Sequence, residues 1–168
     1  MTSARADDPP LVIKGWSVFA HAQFLDTFES LVTQVERLRA MDPKGYTAKN
    51  STKRLAAIVK LAFEVIPQDP TRPEYGQGAT LGDEYKHWFR AKFFQQYRLF
   101  FRYHGESRII IYAWVNDENS KRAYESGSDA YRTFRRMLKN GNPPDEWREL
   151  LTQAKAQNKR TRAARAGK

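Results

Sequence analysis

Cysteine is absent from the 168-residue chain, which excludes disulfides, thiolate nucleophiles and cysteine zinc sites. No apolar run approaches the roughly 18 residues of a membrane span, and the opening MTSARADDPP lacks the apolar core of a signal peptide. A cytoplasmic protein with no membrane partner is the expectation. Histidine is scarce, with only His21, His87 and His104, and these are scattered among Asp and Glu without ligand spacing, so neither a metal site nor a cofactor is expected. Acid is scarce in two places. None occurs between Trp88 and Tyr103, and none in the final TQAKAQNKRTRAARAGK.

What is present is cationic charge and aromatic bulk. The chain has 29 Lys and Arg against 19 Asp and Glu, a net +10, which suits a polyanionic partner. Six of the cations (Lys155, Lys159, Arg160, Arg162, Arg165 and Lys168) lie in the last seventeen residues, so the rest holds 23 cations against 19 acids. Hydrophobic residues make up 40% of the chain, enough for one domain with a core rather than two. The expected division is a disordered tail over 1–10, a single domain over 11–151 and a basic tail over 152–168, disordered or partly helical.

Periodicity supplies the elements. LVIKGWSVFA (11–20) predicts a first strand. Phe24, Leu25, Phe28, Leu31, Val32, Val35 and Leu38 recur at helical spacing and predict an amphipathic helix that ends near Asp42-Pro43. A second helix is expected from Ser51, as N-cap, to Pro67. PQDPTRPEYGQGAT is a loop whose Gly76 and Gly78 read as turn residues rather than a phosphate cradle. Three strands follow, over 87–94, 97–103 and 108–115, the last (RIIIYAWV) apolar enough to lie at the centre of a sheet. A helix carrying Tyr131, Phe134, Met137 and Leu138 comes next, then a new start at Asp145-Glu146-Trp147. The fold class is therefore α+β, with helices on one face of a mainly antiparallel sheet.

Strand parity groups the cations. Arg90 and Lys92 share a face with Trp88, and Arg98 and Arg102 share one with Phe100. A hairpin loop of odd length between the two strands brings all four cations onto one face, expected to be free of helices. An ordinary solvated sheet face also accommodates Lys and Arg. The lack of acids and the interleaved Trp88 and Phe100 favour nucleic acid, with cations holding phosphates and rings stacking on bases.

Four stretches, GWSVFAH (15–21), WFRAKFFQQYRLFFRY (88–103), WVNDENSKRAY (114–124) and DAYRTFRRMLKNGNPPDEW (129–147), resemble the YhaV family of type II toxins within the RelE superfamily of toxin ribonucleases. The resemblance covers almost the whole chain between the tails. It implies a RelE-like fold: an N-terminal strand, two antiparallel helices, a mainly antiparallel sheet and further C-terminal helices. It also implies metal-free endoribonuclease activity on RNA, free or on the ribosome, a PrlF-type antitoxin, and operator DNA bound through the toxin–antitoxin complex. By position it matches the family's YR pair to Tyr97-Arg98, the preceding basic strand to Arg90 and Lys92, and the terminal tyrosine to Tyr124. Taken with the basic face, Lys92, Arg98 and Tyr124 are the candidates for catalysis and Arg90, Arg102, Trp88 and Arg122 for RNA binding. Where many RelE relatives carry a cation after the last strand, this chain has Asn116-Asp117-Glu118-Asn119, so that phosphate clamp is either missing or supplied by Arg122 or Arg102.

Such cleavage needs a base for the ribose 2′-OH, cations for the phosphorane-like transition state and an acid for the leaving 5′-oxygen. Arg98 suits the phosphate clamp. Tyr124 and Lys92 are the alternatives for base, the other positioning or protonating. A role for His87 or His104 is open, whereas His21 reads as a cap or packing residue. Two further readings stand beside this one: a non-catalytic RNA- or ribosome-binding module on the same scaffold, and a DNA-binding regulator using Arg132, Arg135 and Arg136.

Overall fold

The computed structural model describes residues 9–117 and 128–166. The chain opens with a hairpin of β1 (Leu11–Ile13) and β2 (Trp16–Ala20), then α1 (Ala22–Met41) and α2 (Asn50–Lys60). Next come β3 (Phe89–Phe93), β4 (Tyr97–His104) and β5 (Ile109–Val115), followed by α3 (Ser128–Lys139), α4 (Trp147–Lys155) and α5 (Asn158–Ala166). The sheet order is β1-β2-β5-β4-β3. All neighbours are antiparallel except β2 and β5, which run parallel. The α+β class and the order of elements are those expected from the sequence.

Two local expectations change. The first strand is a hairpin, because Lys14 (φ 51°) and Gly15 (φ 85°) form a two-residue turn with positive φ at both centres. Ser51 lies inside α2, whose N-cap is Lys49 with no side-chain hydrogen bond. At α1 the N-cap is His21, whose Nδ1 accepts from the Gln23 backbone N–H at 3.1 Å. Between helix and sheet, the Gln77 amide braces the glycine-containing turn. It donates to the Tyr85 carbonyl (2.9 Å) and accepts from the Leu81 N–H (3.0 Å), as turn chemistry requires.

The larger correction concerns the layers, since helices cover both faces of the sheet. One core packs α1, α2 and α5 against Val18, Ala20, Leu99, Phe101, Ile110 and Tyr112. A second core packs α3 and α4 against Phe19, Trp88, Phe100, Ile111, Ala113 and Trp114. The cause is β5, buried along nearly its whole length. A central strand that is apolar on both sides needs cover on both sides. A bulge between Phe100 and Phe101 sends both Ala113 and Trp114 into the second core. There Phe134 of α3 stacks on Phe100 at 4.3 Å and on Trp114 at 5.8 Å.

Residues 152–166 do not trail away from the body as a tail. They complete α4 and form α5, which buries Asn158, Thr161 and Ala164. Asn158 and Arg162 donate to the Pro9 carbonyl, and Arg160 reaches Asp26 (2.8 Å) and both Glu29 oxygens of α1. Helix periodicity in this segment is carried by small and polar residues, so its buried side is hard to see in sequence. Of the tail expected over residues 1–10, residues 1–8 lie outside the described residues.

Candidate nuclease site

Strands β3 and β4 are joined by Phe94, Gln95 and Gln96, a loop of odd length with positive φ at Phe94 (48°) and Gln95 (64°). The register pairs Arg90 with Phe100 and Lys92 with Arg98. Directly paired residues point to one face, so Arg90, Lys92, Arg98 and Arg102 share a side of the sheet, as parity predicts. That side is the one α3 covers, and the cover decides what each cation can do.

Arg98 is 8% exposed and is held four ways. Its backbone N–H donates to Asn116 Oδ1 (2.7 Å), its Nε to the Tyr131 hydroxyl (3.2 Å), and its Nη1 to the carbonyls of Gln95 (2.7 Å) and Tyr97 (3.1 Å). Arg90 donates from Nε to the same Tyr131 hydroxyl (2.7 Å) and from Nη1 to the Glu74 carbonyl (2.8 Å). One buried phenol oxygen from α3 thus receives two guanidinium donors. Lys92 lies across from Arg98, exposed, and its side chain makes no ion pair or hydrogen bond among the described residues. Three cations converge there, and none is ion-paired to a carboxylate among the described residues. Like charges opposed across strands are unfavourable, so this is a place that an anion relieves.

The other candidates fare differently. Trp88 is fully buried, with its Nε1 donating to Asp145 Oδ1 at 2.7 Å and its ring edge-on to Phe134. Phe100 is equally buried. Neither ring can stack on a base, which corrects the reading of both as an aromatic platform. Arg102 donates to the Asp145 carbonyl and lies between the rings of Trp88 (5.4 Å) and Trp147 (5.1 Å), and burial lowers its pKa. It joins α4 to the sheet, its guanidinium engaged by one carbonyl and two rings. Tyr124 and Arg122 lie outside the described residues.

His21 caps α1 through Nδ1 and donates from Nε2 to Gln153 Oε1 (2.7 Å), and burial lowers its pKa. His87 pairs with Asp145 at 2.7 Å, and His104 stacks on Trp147. Among the described residues no three His, Asp or Glu side chains are placed to hold a metal ion. No helix among them is long and apolar enough to cross a membrane.

Sequence reasoning missed Tyr131, taken only as an apolar-face residue of its helix. Its signal was its chemistry: a tyrosine, among positions otherwise filled by Phe, Met and Leu, needs a partner for its hydroxyl when buried.

A family model described as "Toxin with endonuclease activity, of toxin-antitoxin system" matches residues 18–155. The chain belongs to the YhaV toxin family. The match begins within β2, spans β3, β4 and β5, and reaches the last residue of α4. A protein named "Toxin YhaV" from Escherichia coli O6:H1 is 44% identical over 148 residues, covering 87% of this chain and 96% of that one. One named "Ribonuclease toxin YhaV" from Escherichia coli K12 is 43% identical over 145 residues, covering 85% and 94%. No solved structure matches. Membership makes the chain an endonuclease toxin and implies a cognate antitoxin as partner.

Proposed function

We propose that this YhaV-family chain is an endoribonuclease toxin that cuts RNA by attack of a ribose 2′-oxygen on the adjacent phosphorus, without a metal ion, and so halts translation and growth. The observation that carries the reading is the convergence of Arg90 and Arg98 on the Tyr131 hydroxyl, with Lys92 facing Arg98. As the P–O2′ bond forms and the P–O5′ bond breaks, charge builds on the non-bridging oxygens. A guanidinium already fixed by three side-chain bonds stabilises that charge without reorganising. The 2′-proton passes to Lys92 or Tyr124, and the other of the pair positions or protonates the departing 5′-oxygen. The products are a 2′,3′-cyclic phosphate and a 5′-hydroxyl. Arg90 and Arg122 hold the flanking phosphates.

The same reading places the toxin in the cytoplasm, acting on RNA free or on the ribosome. There a PrlF-type antitoxin neutralises it, and the complex binds operator DNA. A net charge of +10 suits each of these polyanionic or acidic partners.

The test uses an RNA that the purified protein cuts, resynthesised with one 2′-deoxy residue at the mapped position and assayed in excess chelator. Loss of that cut alone, with a cyclic phosphate on the normal product, is the expected result. A persisting cut at the deoxy position refutes 2′-attack, and abolition by chelator refutes the metal-free route. No cleavage of any RNA, with or without ribosomes, favours a binding module instead.

A further inference from the structure

Helix α3 does two jobs on its inner side. Phe134 and Leu138 fill the second core, and Tyr131 receives Arg90 and Arg98. Its outer side is cationic. Arg132, Arg136 and Lys139 are exposed at helical spacing, with Arg135 half-buried beside them. Arg135, Arg136 and Lys139 make no ion pair among the described residues. Arg135/Lys139 lie four residues apart and Arg136/Lys139 three apart, whereas Arg132 has a partner of its own. Each such like-charge pair destabilises a helix by about 0.2–0.5 kcal/mol. The macrodipole accounts for cations in the last turn, where Arg136 and Lys139 lie, but not for Arg135. Arg135, Arg136 and Lys139, crowded on a helix bolted to the arginine site, are therefore placed at a cost to the fold.

We propose that the outer face of α3 is a track for the RNA substrate, holding the phosphates of the single strand that runs on from the cut. The proposal rests on the ribonuclease reading and extends its binding surface. Continuity with the site is covalent. Arg132 follows Tyr131, and from Tyr131 to Lys139 the helix advances about 12 Å at 1.5 Å per residue. A strand clamped at Arg98 can continue along this line. The contacts are to phosphates, because the outward side chains are guanidiniums and an amine with no exposed ring among them. The track is thus indifferent to sequence, and its contribution weakens with salt.

The experiment uses the full-length chain and the variant Arg136→Gln/Lys139→Gln, with Arg136→Glu/Lys139→Glu as a second. Both positions are exposed, and neither belongs to the arginine–tyrosine site. Binding of the deoxy-blocked RNA is measured across a salt series. For single strands the slope of log K against log salt falls by about 0.7 per phosphate contact, so the Gln pair lowers it by about 1.4. Single-turnover cleavage at saturating protein stays at the wild-type rate, and the charge-reversed pair weakens binding further. An unchanged slope in both variants overturns the proposal while leaving the cleavage reading intact. Slopes unchanged for RNA but reduced for operator duplex bound with antitoxin assign the face to DNA and overturn it as well. A wild-type protein that neither cuts nor binds RNA overturns both readings together.

Discussion

Replacing Tyr131 by Phe removes one oxygen from the centre of the site and leaves the ring. The ring contacts survive: the edge-on packing against Phe100 at 5.6 Å and the Arg98 guanidinium 5.7 Å from the ring centre. What is lost is the acceptor for two charged donors, Arg90 Nε at 2.7 Å and Arg98 Nε at 3.2 Å. The two losses differ. Arg90 is partly exposed, so water replaces much of its bond, whereas Arg98 is 8% exposed and its Nε has no other acceptor among the described residues. A buried charged donor left unmet costs about 1.5–3 kcal/mol. With a smaller share from Arg90, the expected total is about 2–3 kcal/mol, a fall in Tm of about 4–12 °C for a chain of this length. Thermal unfolding followed by far-ultraviolet circular dichroism reads this directly.

Activity should fall further than stability explains. At a temperature where Tyr131→Phe is fully folded, an Arg98 side chain displaced by about 1 Å costs on the order of 100-fold in single-turnover cleavage. Tyr131→Leu, which also loses the ring, separates the hydroxyl from packing by melting lower still. A Tyr131→Phe protein that melts within about a degree of wild type refutes the claim that this oxygen anchors two arginines. One that melts lower but cleaves at the wild-type rate keeps the structural role and removes the catalytic one.

Three other outcomes are expected. Lys92→Gln, at an exposed position with no partner among the described residues, leaves Tm unchanged and slows single-turnover cleavage by about 100-fold or more if Lys92 transfers a proton; an unchanged rate gives that role to Tyr124. Burial lowers the pKa of His21, so the fold favours neutral imidazole and the unfolded chain binds more protons. Its contribution is therefore fully present above about pH 6.5 and is lost as pH falls toward the folded value, so the urea midpoint drops between about pH 7.5 and about pH 5.5. His21→Asn, which keeps a capping acceptor, flattens that dependence, and an equal slope in both proteins disproves the assignment. Truncation after Gln157 removes α5 and uncovers apolar surface of the first core, lowering Tm far more than Arg160→Gln, whose exposed pairs with Asp26 and Glu29 are worth at most about 1 kcal/mol. Equal melting of the truncated and full chains would make the segment the dispensable tail its composition suggests.

Much of the frame could be read from residue spacing. The long stripe of α1, the three late strands and the odd-length loop that sets Lys92 opposite Arg98 all follow from local period and parity. The second core could not be read in the same way. Trp88 and Phe100 alternate with cations, which looks like an open basic face, and only the long-range arrival of α3 turns those rings inward. Tyr131 meets Arg90 and Arg98 across 41 and 33 residues of chain, a contact that no local pattern encodes. The helical C-terminus was hidden for the opposite reason. Its buried positions are Asn158, Thr161 and Ala164, so its packing leaves no hydrophobic periodicity to detect.

The stretch after β5 shows how far local chemistry can mislead at a site. Asn116-Asp117 stands where a cation is expected, which suggests a lost phosphate ligand. Asn116 is instead buried and two-handed. Its Oδ1 accepts from the Arg98 backbone N–H at 2.7 Å, and its Nδ2 donates to the Gln96 carbonyl at 3.0 Å. It therefore fixes both the root of Arg98 and the loop whose Gln95 carbonyl holds the other end of the same side chain. A lysine there would supply charge but could not accept the backbone proton. The consequence is a division between the two paired cations. Arg98 is bound at backbone, Nε and Nη1, whereas the side chain of Lys92 opposite has no hydrogen bond or ion pair among the described residues. A charge that must meet a developing phosphorane gains from being immobile, and a group that must take up and release a proton gains from being free to move. Under the proposed mechanism, this asymmetry suits Arg98 to the clamp and Lys92 or Tyr124 to proton exchange.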